Sequence, residues 1–486
     1  MMSDVRTAEN IPSSRAASIG LWLGPAWLLM VLLTPAPVEM PVAAWHCVGL
    51  ALLMATWWAT EAIPIPVTSL LPIVLVPMLG IAKLGETTAT YGDPIIFLFL
   101  GGFLLGIAMQ RWNLHRRIAL RVLLLVGSEP KNQIGGFMIA TGFLSMWVSN
   151  TATTIMMLPI GLSVVSLLAA DNDEAETERY ATALLLAIAY SASIGGIATL
   201  IGTPPNALLT GYLAKNHGID IGFAQWMVIG LPVSIVMMAI TWWWLTRGGF
   251  KFQTSADSTG VLRGELARLG PLGPAERRVG IVFAAAAAAW IVRPMLNDAG
   301  VAWLSDTAVA LIAGIALFLV PSGTGGNTRL LDWEAAQKLP WGILLLFGGG
   351  LALAGVVKSS GLAEWIAMQL SVFDVLPLLL LVGIIVLVII FLTEITSNTA
   401  TAAAFLPLLG ALAVSLSLDP LLITVPAAIA ASCAFMMPVA TPPNAIVFAT
   451  GHMKIQSMIR AGLFLNVVGT VFITFLVVFL IKVFWI

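Results

Sequence analysis

Two short polar clusters interrupt a chain that is otherwise strongly apolar. Ser149-Asn150-Thr151-Ala152-Thr153 breaks the apolar region 133–169, and Ser397-Asn398-Thr399-Ala400-Thr401 breaks the region 376–416. Each is followed by a proline pair, in Thr203-Pro204-Pro205-Asn206-Ala207 and Thr441-Pro442-Pro443-Asn444-Ala445. Ser, Thr and Asn offer neutral oxygens to a hard cation such as Na⁺, and hydroxyl and amide donors to a carboxylate. Proline lacks an N–H and ends the helix before it. The residues around each proline pair should therefore form two half-helices, 181–200 with 204–213 and 422–437 with 441–450. Such a break frees carbonyls at one helix end and N–H groups at the next. The carbonyls can hold a cation, and the helix N-termini favour an anion. Two equivalent clusters suit a ligand with two anionic ends. No Lys or Arg flanks either Ser-Asn-Thr cluster, so dipoles and neutral donors would hold the anion and Na⁺ would supply the countercharge. The structural alternative for Ser149 and Ser397 is N-capping of the helix that follows.

The elements that must position these clusters follow from composition. Of 486 residues, 59% are apolar and only 10% charged, against roughly 45–50% and about 25% in soluble domains. Mean hydropathy is +0.98. Folded in water, such a chain would expose large apolar patches, so it is an all-α polytopic membrane protein. A span needs about 20 apolar residues. Candidate spans are 20–34, 46–60, 62–80, 94–110, 181–200, 223–246, 279–296, 302–320, 340–357, 422–437 and 461–485. The regions 133–169 and 376–416 are long enough for two helices each and are broken mid-way. A helix ending inside a membrane must bury its polar end in protein or a wet cavity, so these two read as re-entrant hairpins.

Lys and Arg set the orientation. With a cytoplasmic N-terminus and hairpins that do not cross, 18 of the 23 basic residues fall inside and 5 outside. That supports about 11 transmembrane helices plus two hairpins, with the C-terminus outside. The first hairpin then opens from the cytoplasm and the second from the exterior. The clusters recur in the same order, Leu158-Pro159 recurs as Leu406-Pro407, and Gly101-Gly102 pairs with Gly348-Gly349-Gly350. The segment before the first hairpin is rich in Arg, whereas 358–374 holds only Lys358. The repeat is therefore inverted, an arrangement that places a binding site at the repeat interface in transporters. The expected organisation is a tail 1–19, a first helix 20–45, repeat 46–246, a cytoplasmic linker 247–276 and repeat 277–486.

Ser-Asn-Thr twice, Thr-Pro-Pro-Asn twice and Thr60-Glu61-Ala62-Ile63-Pro64-Ile65-Pro66-Val67-Thr68 together resemble the divalent anion/sodium symporter family over residues 20–486. The resemblance implies a homodimer of protomers with a fixed scaffold domain and an elevator-like transport domain, carrying di- or tricarboxylates, or sulfate in some branches. It implies a first sodium site of Ser145, Ser149, Asn150 and the Gly202 carbonyl, and a second of Thr393, Asn398 and the carbonyls of Thr396 and Ala440. It implies a substrate held by Asn150, Thr151, Asn398 and Thr399, with Thr203, Thr441 and Pro442 nearby. Na⁺-coupled uptake of succinate, fumarate or malate is the leading expectation. A Na⁺-independent exchanger and a sulfate or tricarboxylate carrier of the same fold are the alternatives. No cofactor beyond the coupling ion is expected.

Other residues carry weaker signals. An enzyme is disfavoured, since the His-Glu-x-x-His and Gly-x-Ser-x-Gly motifs are missing and no His or Cys cluster has metal spacing. Glu61 should close a helix, Glu394 should brace the second hairpin, and 171–178 should be a solvated loop. Helix 111–126 should be amphipathic, lying on the cytoplasmic face.

Overall fold

The computed structural model describes residues 15–169, 173–251, 258–301, 303–370 and 376–486. Among them every extended element is a helix, and one isolated antiparallel bridge joins Pro321 to Arg329. The chain enters through α1 (Arg15–Leu33) and α2 (Val42–Thr60). Prolines then split the expected span 62–80 into α3 (Ile65–Thr68) and α4 (Leu71–Met78), because Pro66, Pro72 and Pro77 leave no uninterrupted ladder. The short α5 (Leu84–Ala89) leads to α6 (Pro94–Arg111). Asp93 caps α6 by accepting from Ile95 N at 3.1 Å. The amphipathic α7 spans Leu114–Val126.

The first interrupted region forms α8 (Pro130–Ser145) and α9 (Asn150–Ala169), and the first proline break separates α10 (Glu174–Ile197) from α11 (Pro204–His217). Residues 174–178 form the first turn of α10 rather than a loop, and 171–172 lie outside the described residues. The chain continues through α12 (Phe223–Thr246), α13 (Ser258–Arg268), α14 (Pro274–Asp298), α15 (Asp306–Leu319), α16 (Trp333–Ala336), α17 (Trp341–Ser359) and α18 (Leu362–Leu370). The second interrupted region forms α19 (Leu378–Thr393) and α20 (Asn398–Ser415). The second break separates α21 (Leu421–Ala431) from α22 (Pro442–Phe448), and α23 (Ile455–Phe484) ends the chain.

Ten helices among the described residues are long and apolar enough to cross a membrane. They include α9 and α20, while α15, α19 and α21 are shorter. This is a multi-pass membrane protein. Glu61 closes α2 in the left-handed conformation (φ 49°, ψ 40°), its N–H bonded to Trp57 O, as a helix-end residue should. The linker is structured in part: α13 packs on α7 and α9, and its Leu262 is buried in the apolar cluster of α7, α8, α9 and α10. Arg117 of α7 fixes the next turn of the linker. It pairs with Glu276 at 2.5 Å and donates to the carbonyls of Leu269, Gly270 and Pro271.

The two halves cross-brace each other. The half-helix α22 packs on α9 and α10, and α11 packs on α20 and α21. Each proline break thus lies beside the helix pair of the opposite half.

Candidate functional site

In the first half, α8 ends at Ser145 and α9 begins at Asn150, so the side chains of both residues meet at the turn. Ser145 Oγ donates to Ala192 O of α10 at 2.6 Å. Asn150 lies 2.6 Å from Ser145 Oγ, 3.1 Å from Ala192 O and 3.3 Å from Gly202 O. With Oδ1 turned inward, four oxygens would converge with only the Ser145 hydroxyl proton between them. With Nδ2 turned inward, the amide itself bridges the same carbonyls. Close packing makes this convergence possible. A Cβ on Gly196 would sit 2.9 Å from both Asn150 Oδ1 and Gly202 O, and one on Gly195 would collide with Gly142 backbone.

The second half repeats the geometry. Thr393 Oγ1 donates to Asn398 Oδ1 at 2.8 Å and to Ala431 O at 3.1 Å. Thr393 is fully buried and Asn398 half-buried. The sequence-expected residues therefore meet as two sets: Ser145, Asn150 and Gly202, and Thr393 with Asn398. Ser149 has a different task, its Oγ accepting from Ala152 N at 3.3 Å as the cap of α9. Ser397 occupies the N-cap position of α20 without such a bond. The Thr396 hydroxyl is engaged by Leu392 O (2.9 Å) and Thr401 Oγ1 (2.6 Å). No hydrogen bond ties Ala440 to the Thr393–Asn398 pair; its N–H donates to Met437 O at 3.2 Å. Thr151 and Thr399 lie in the first turns of α9 and α20, at the ends that favour an anion. Thr203 and Thr441 are buried and hold matching extended backbones (φ −144°, ψ 142° and φ −141°, ψ 150°) ahead of their proline pairs. Pro442 is exposed at the start of α22.

The last letter of each Thr-Pro-Pro-Asn block does work that sequence reasoning left unassigned. Asn206 Nδ2 donates to the carbonyls of Gly196 (3.3 Å), Ile197 (3.3 Å) and Thr199 (2.8 Å). Asn444 Nδ2 donates to Ala434 O and Met437 O, both at 3.1 Å. These amides take up inner carbonyls that the breaks leave unpaired. Thr199 Oγ1 donates to Met146 O at 2.5 Å, tying the first break to the first turn. Glu394 does more than brace its own helix pair: its carboxylate accepts from the N–H groups of Phe435 (2.7 Å), Met436 (2.8 Å) and Met437 (2.9 Å) and from Asn466 Nδ2 (2.7 Å). Tyr190 OH donates to Phe435 O at 2.7 Å. Asn466 carried a usable signal, as an amide in the apolar stretch 461–485. Tyr190 carried none.

Both clusters are thus built around neutral oxygens and helix ends in a helical membrane fold. A family profile described as the sodium:sulfate symporter transmembrane region matches residues 17–486. The chain belongs to the sodium:sulfate symporter family. This symporter chain is 44% identical over 482 residues to a sodium-dependent dicarboxylate transporter, SdcS, of Staphylococcus saprophyticus, covering 97% of this chain and 93% of that one. It is 42% identical over 490 residues to SdcS of Staphylococcus aureus strain USA300, covering 98% and 94%. Among solved structures, the symporter chain is similar in fold to the YdaH transporter of Alcanivorax borkumensis. The TM-score is 0.59 at 12% identity, covering 97% of this chain and 99% of that one. The Neisseria gonorrhoeae MtrF structure matches with a TM-score of 0.58 at 15% identity, covering 97% and 95%. At those identities the likeness concerns the fold alone. A cavity of about 820 Å³ between the far end of α9, the start of α10 and His452 contains none of the expected site residues.

Proposed function

We propose that this chain imports dicarboxylates of the succinate, fumarate and malate class together with Na⁺. The observation that carries the reading is the repeated polar turn, in which Ser145 meets Asn150 and Ala192 O and Thr393 meets Asn398 and Ala431 O, each beside a proline break. The names of the SdcS relatives, at 42–44% identity over nearly the full length, support the substrate class.

In this reading Na⁺ binds one site at Ser145, Ser149, Asn150 and Gly202, and a second at Thr393, Thr396, Asn398 and Ala440. Ser149 contributes its backbone or a second lone pair while it caps α9, and Thr396 contributes its carbonyl. The substrate carboxylates meet Asn150, Thr151, Asn398 and Thr399 at the N-termini of α9 and α20, beside Thr203, Thr441 and Pro442. Two Na⁺ neutralise a dianion, so at least two ions accompany each substrate. The halves form inverted repeats, with the N-terminus cytoplasmic and the C-terminus outside. The helix pairs and broken helices move as an elevator-like transport body against a scaffold that forms a homodimer. The cross-bracing of α22 on α9 and α11 on α20 supports one moving body built from both halves.

The test is uptake of radiolabelled succinate into proteoliposomes under an inward Na⁺ gradient, with choline as replacement. Na⁺-dependent uptake supports the reading. Uptake indifferent to Na⁺ but stimulated by internal succinate makes the chain an exchanger. Competition by sulfate at the concentration where succinate competes moves it to the sulfate branch.

A further inference from the structure

Glu394 is 3% exposed, on an apolar helix pair whose neighbours supply almost no charge. All four of its partners donate to it, at 2.7–2.9 Å, which is the surrounding of an ionised carboxylate. None of the ion pairs among the described residues includes it. Three successive N–H groups of an unwound loop form a concavity that suits an anion, and here the anion is the protein's own side chain. An ionisable group at such depth is costly and marks function by default.

The first half has no equivalent. The residue after Ser145 is Met146, where the residue after Thr393 is Glu394. At that place the first half uses a neutral bond, Thr199 Oγ1 to Met146 O. The two clusters share a hydroxyl, an amide and a neighbouring helix carbonyl, and one buried carboxylate lies beside the second alone.

We propose that Glu394 makes the two cation clusters unequal. Its charge gives the Thr393–Asn398 cluster the tighter hold on Na⁺, so that this cluster fills first and the Ser145–Asn150 cluster fills second. The amides and N–H dipoles fix the carboxylate without cancelling its charge, and in a water-poor interior that charge acts over several ångströms. Glu394 is a positioning and electrostatic residue here, with no contact to substrate. The inference rests on the proposed reading of both clusters as Na⁺ sites.

The test measures thermal stabilisation of the purified protein by NaCl against choline chloride without substrate, then Na⁺ and succinate dependence of uptake in proteoliposomes. The variants are Glu394→Gln, Thr393→Ala and Ser145→Ala. Glu394→Gln should raise the Na⁺ midpoint by about twentyfold to a hundredfold, the scale of a unit charge about 6–10 Å away at an effective dielectric of about 20, and Thr393→Ala should raise it as well by removing a ligand of the same cluster. Ser145→Ala should leave the first phase of Na⁺ stabilisation in place. At saturating Na⁺, Glu394→Gln should leave the KM for succinate nearly unchanged, which a merely structural role in the loop would not do. An unchanged Na⁺ midpoint in Glu394→Gln overturns the proposal, as does a succinate KM that rises as far as the Na⁺ midpoint. Should Glu394→Gln fail to fold, equal shifts in Ser145→Ala and Thr393→Ala overturn it by themselves. If neither of those two variants alters Na⁺ stabilisation, the site assignment itself falls and the inequality falls with it.

Discussion

The turn between α8 and α9 and the turn between α19 and α20 carry the same Ser-Asn-Thr chemistry in different surroundings. At the first, Trp147 stacks over Phe223 (5.8 Å, 17°), which stacks on Trp290 (4.5 Å, 8°), and meets Phe283 edge-on at 4.9 Å. At the second, the matching residue is Ile395, 69% exposed. The proline breaks differ in the same sense: Ile201 of the first is 7% exposed and Val439 of the second 78%. The first break packs glycine against glycine, Gly195 on Gly142 and Gly202 on Gly196, whereas Cys433 and Ala434 stand at the positions matching Gly195 and Gly196. The first cluster is held by shape, through close packing and aromatic faces. The second is held by charge and hydrogen bonds, through Glu394, Asn466 and Tyr190. The repeated sequence has kept the hydroxyl and amide groups of the two turns alike and let the supports diverge.

The comparison breaks most plainly if only one cluster matters. Asn150→Ala and Asn398→Ala should each reduce succinate uptake by about tenfold to a hundredfold, since in the proposed reading each removes a ligand and each leaves the Ser145 or Thr393 hydroxyl without its amide partner. Retained uptake in either variant would remove that half from the site. Trp147→Ala should then separate the supports. It strips a stacked indole and should cost about 2–4 kcal/mol in a thermal or denaturant melt, while Ile395→Ala costs almost nothing. Equal losses would contradict the picture of a first turn seated on aromatic rings and a second whose Ile395 faces outward. Gly195→Ala should cost about 1–3 kcal/mol by pushing α10 off α8, and Cys433→Ala, which shrinks a side chain at the matching place, should cost less. The smallest difference lies at the caps. Ser149→Ala should lose about 1 kcal/mol of stability with its bond to Ala152 N, and Ser397→Ala should lose little, by the same melt.

Much of this was legible beforehand because the informative residues are polar exceptions in an apolar text. The Ser-Asn-Thr and Thr-Pro-Pro-Asn blocks mark the turns and breaks: α9, α11 and α20 begin at Asn150, Pro204 and Asn398 as expected, and α22 begins at Pro442, one residue inside the expected 441–450. Element ends were less legible where backbone chemistry decides them. The expected half-helix 422–437 stops at Ala431, because Glu394 captures the N–H groups of residues 435–437. That capture depends on a residue about forty positions upstream, and no local pattern encodes it. The stretch 247–276 reads only as a cytoplasmic linker in the sequence, yet α13 docks through Leu262 while Arg117 and Glu276 fix the turn after it. Partners distant in the chain are invisible to periodicity. The same holds for Asn206 and Asn444, whose repetition was visible and whose carbonyl partners were not.

The crossing of the halves also has a consequence for synthesis. The faces of α9 and α11 are completed by α22 and α20, which lie roughly 280 and 200 residues later in the chain, so at a typical 5–20 residues per second they wait about 10–60 seconds for their partners. Through that interval the faces of α9 and α11 that later pack on α22 and α20 have no protein partner. A ribosome that stalls within α14–α17 would therefore leave an insertion intermediate whose α9 and α11 faces are uncovered, a ready substrate for membrane quality control.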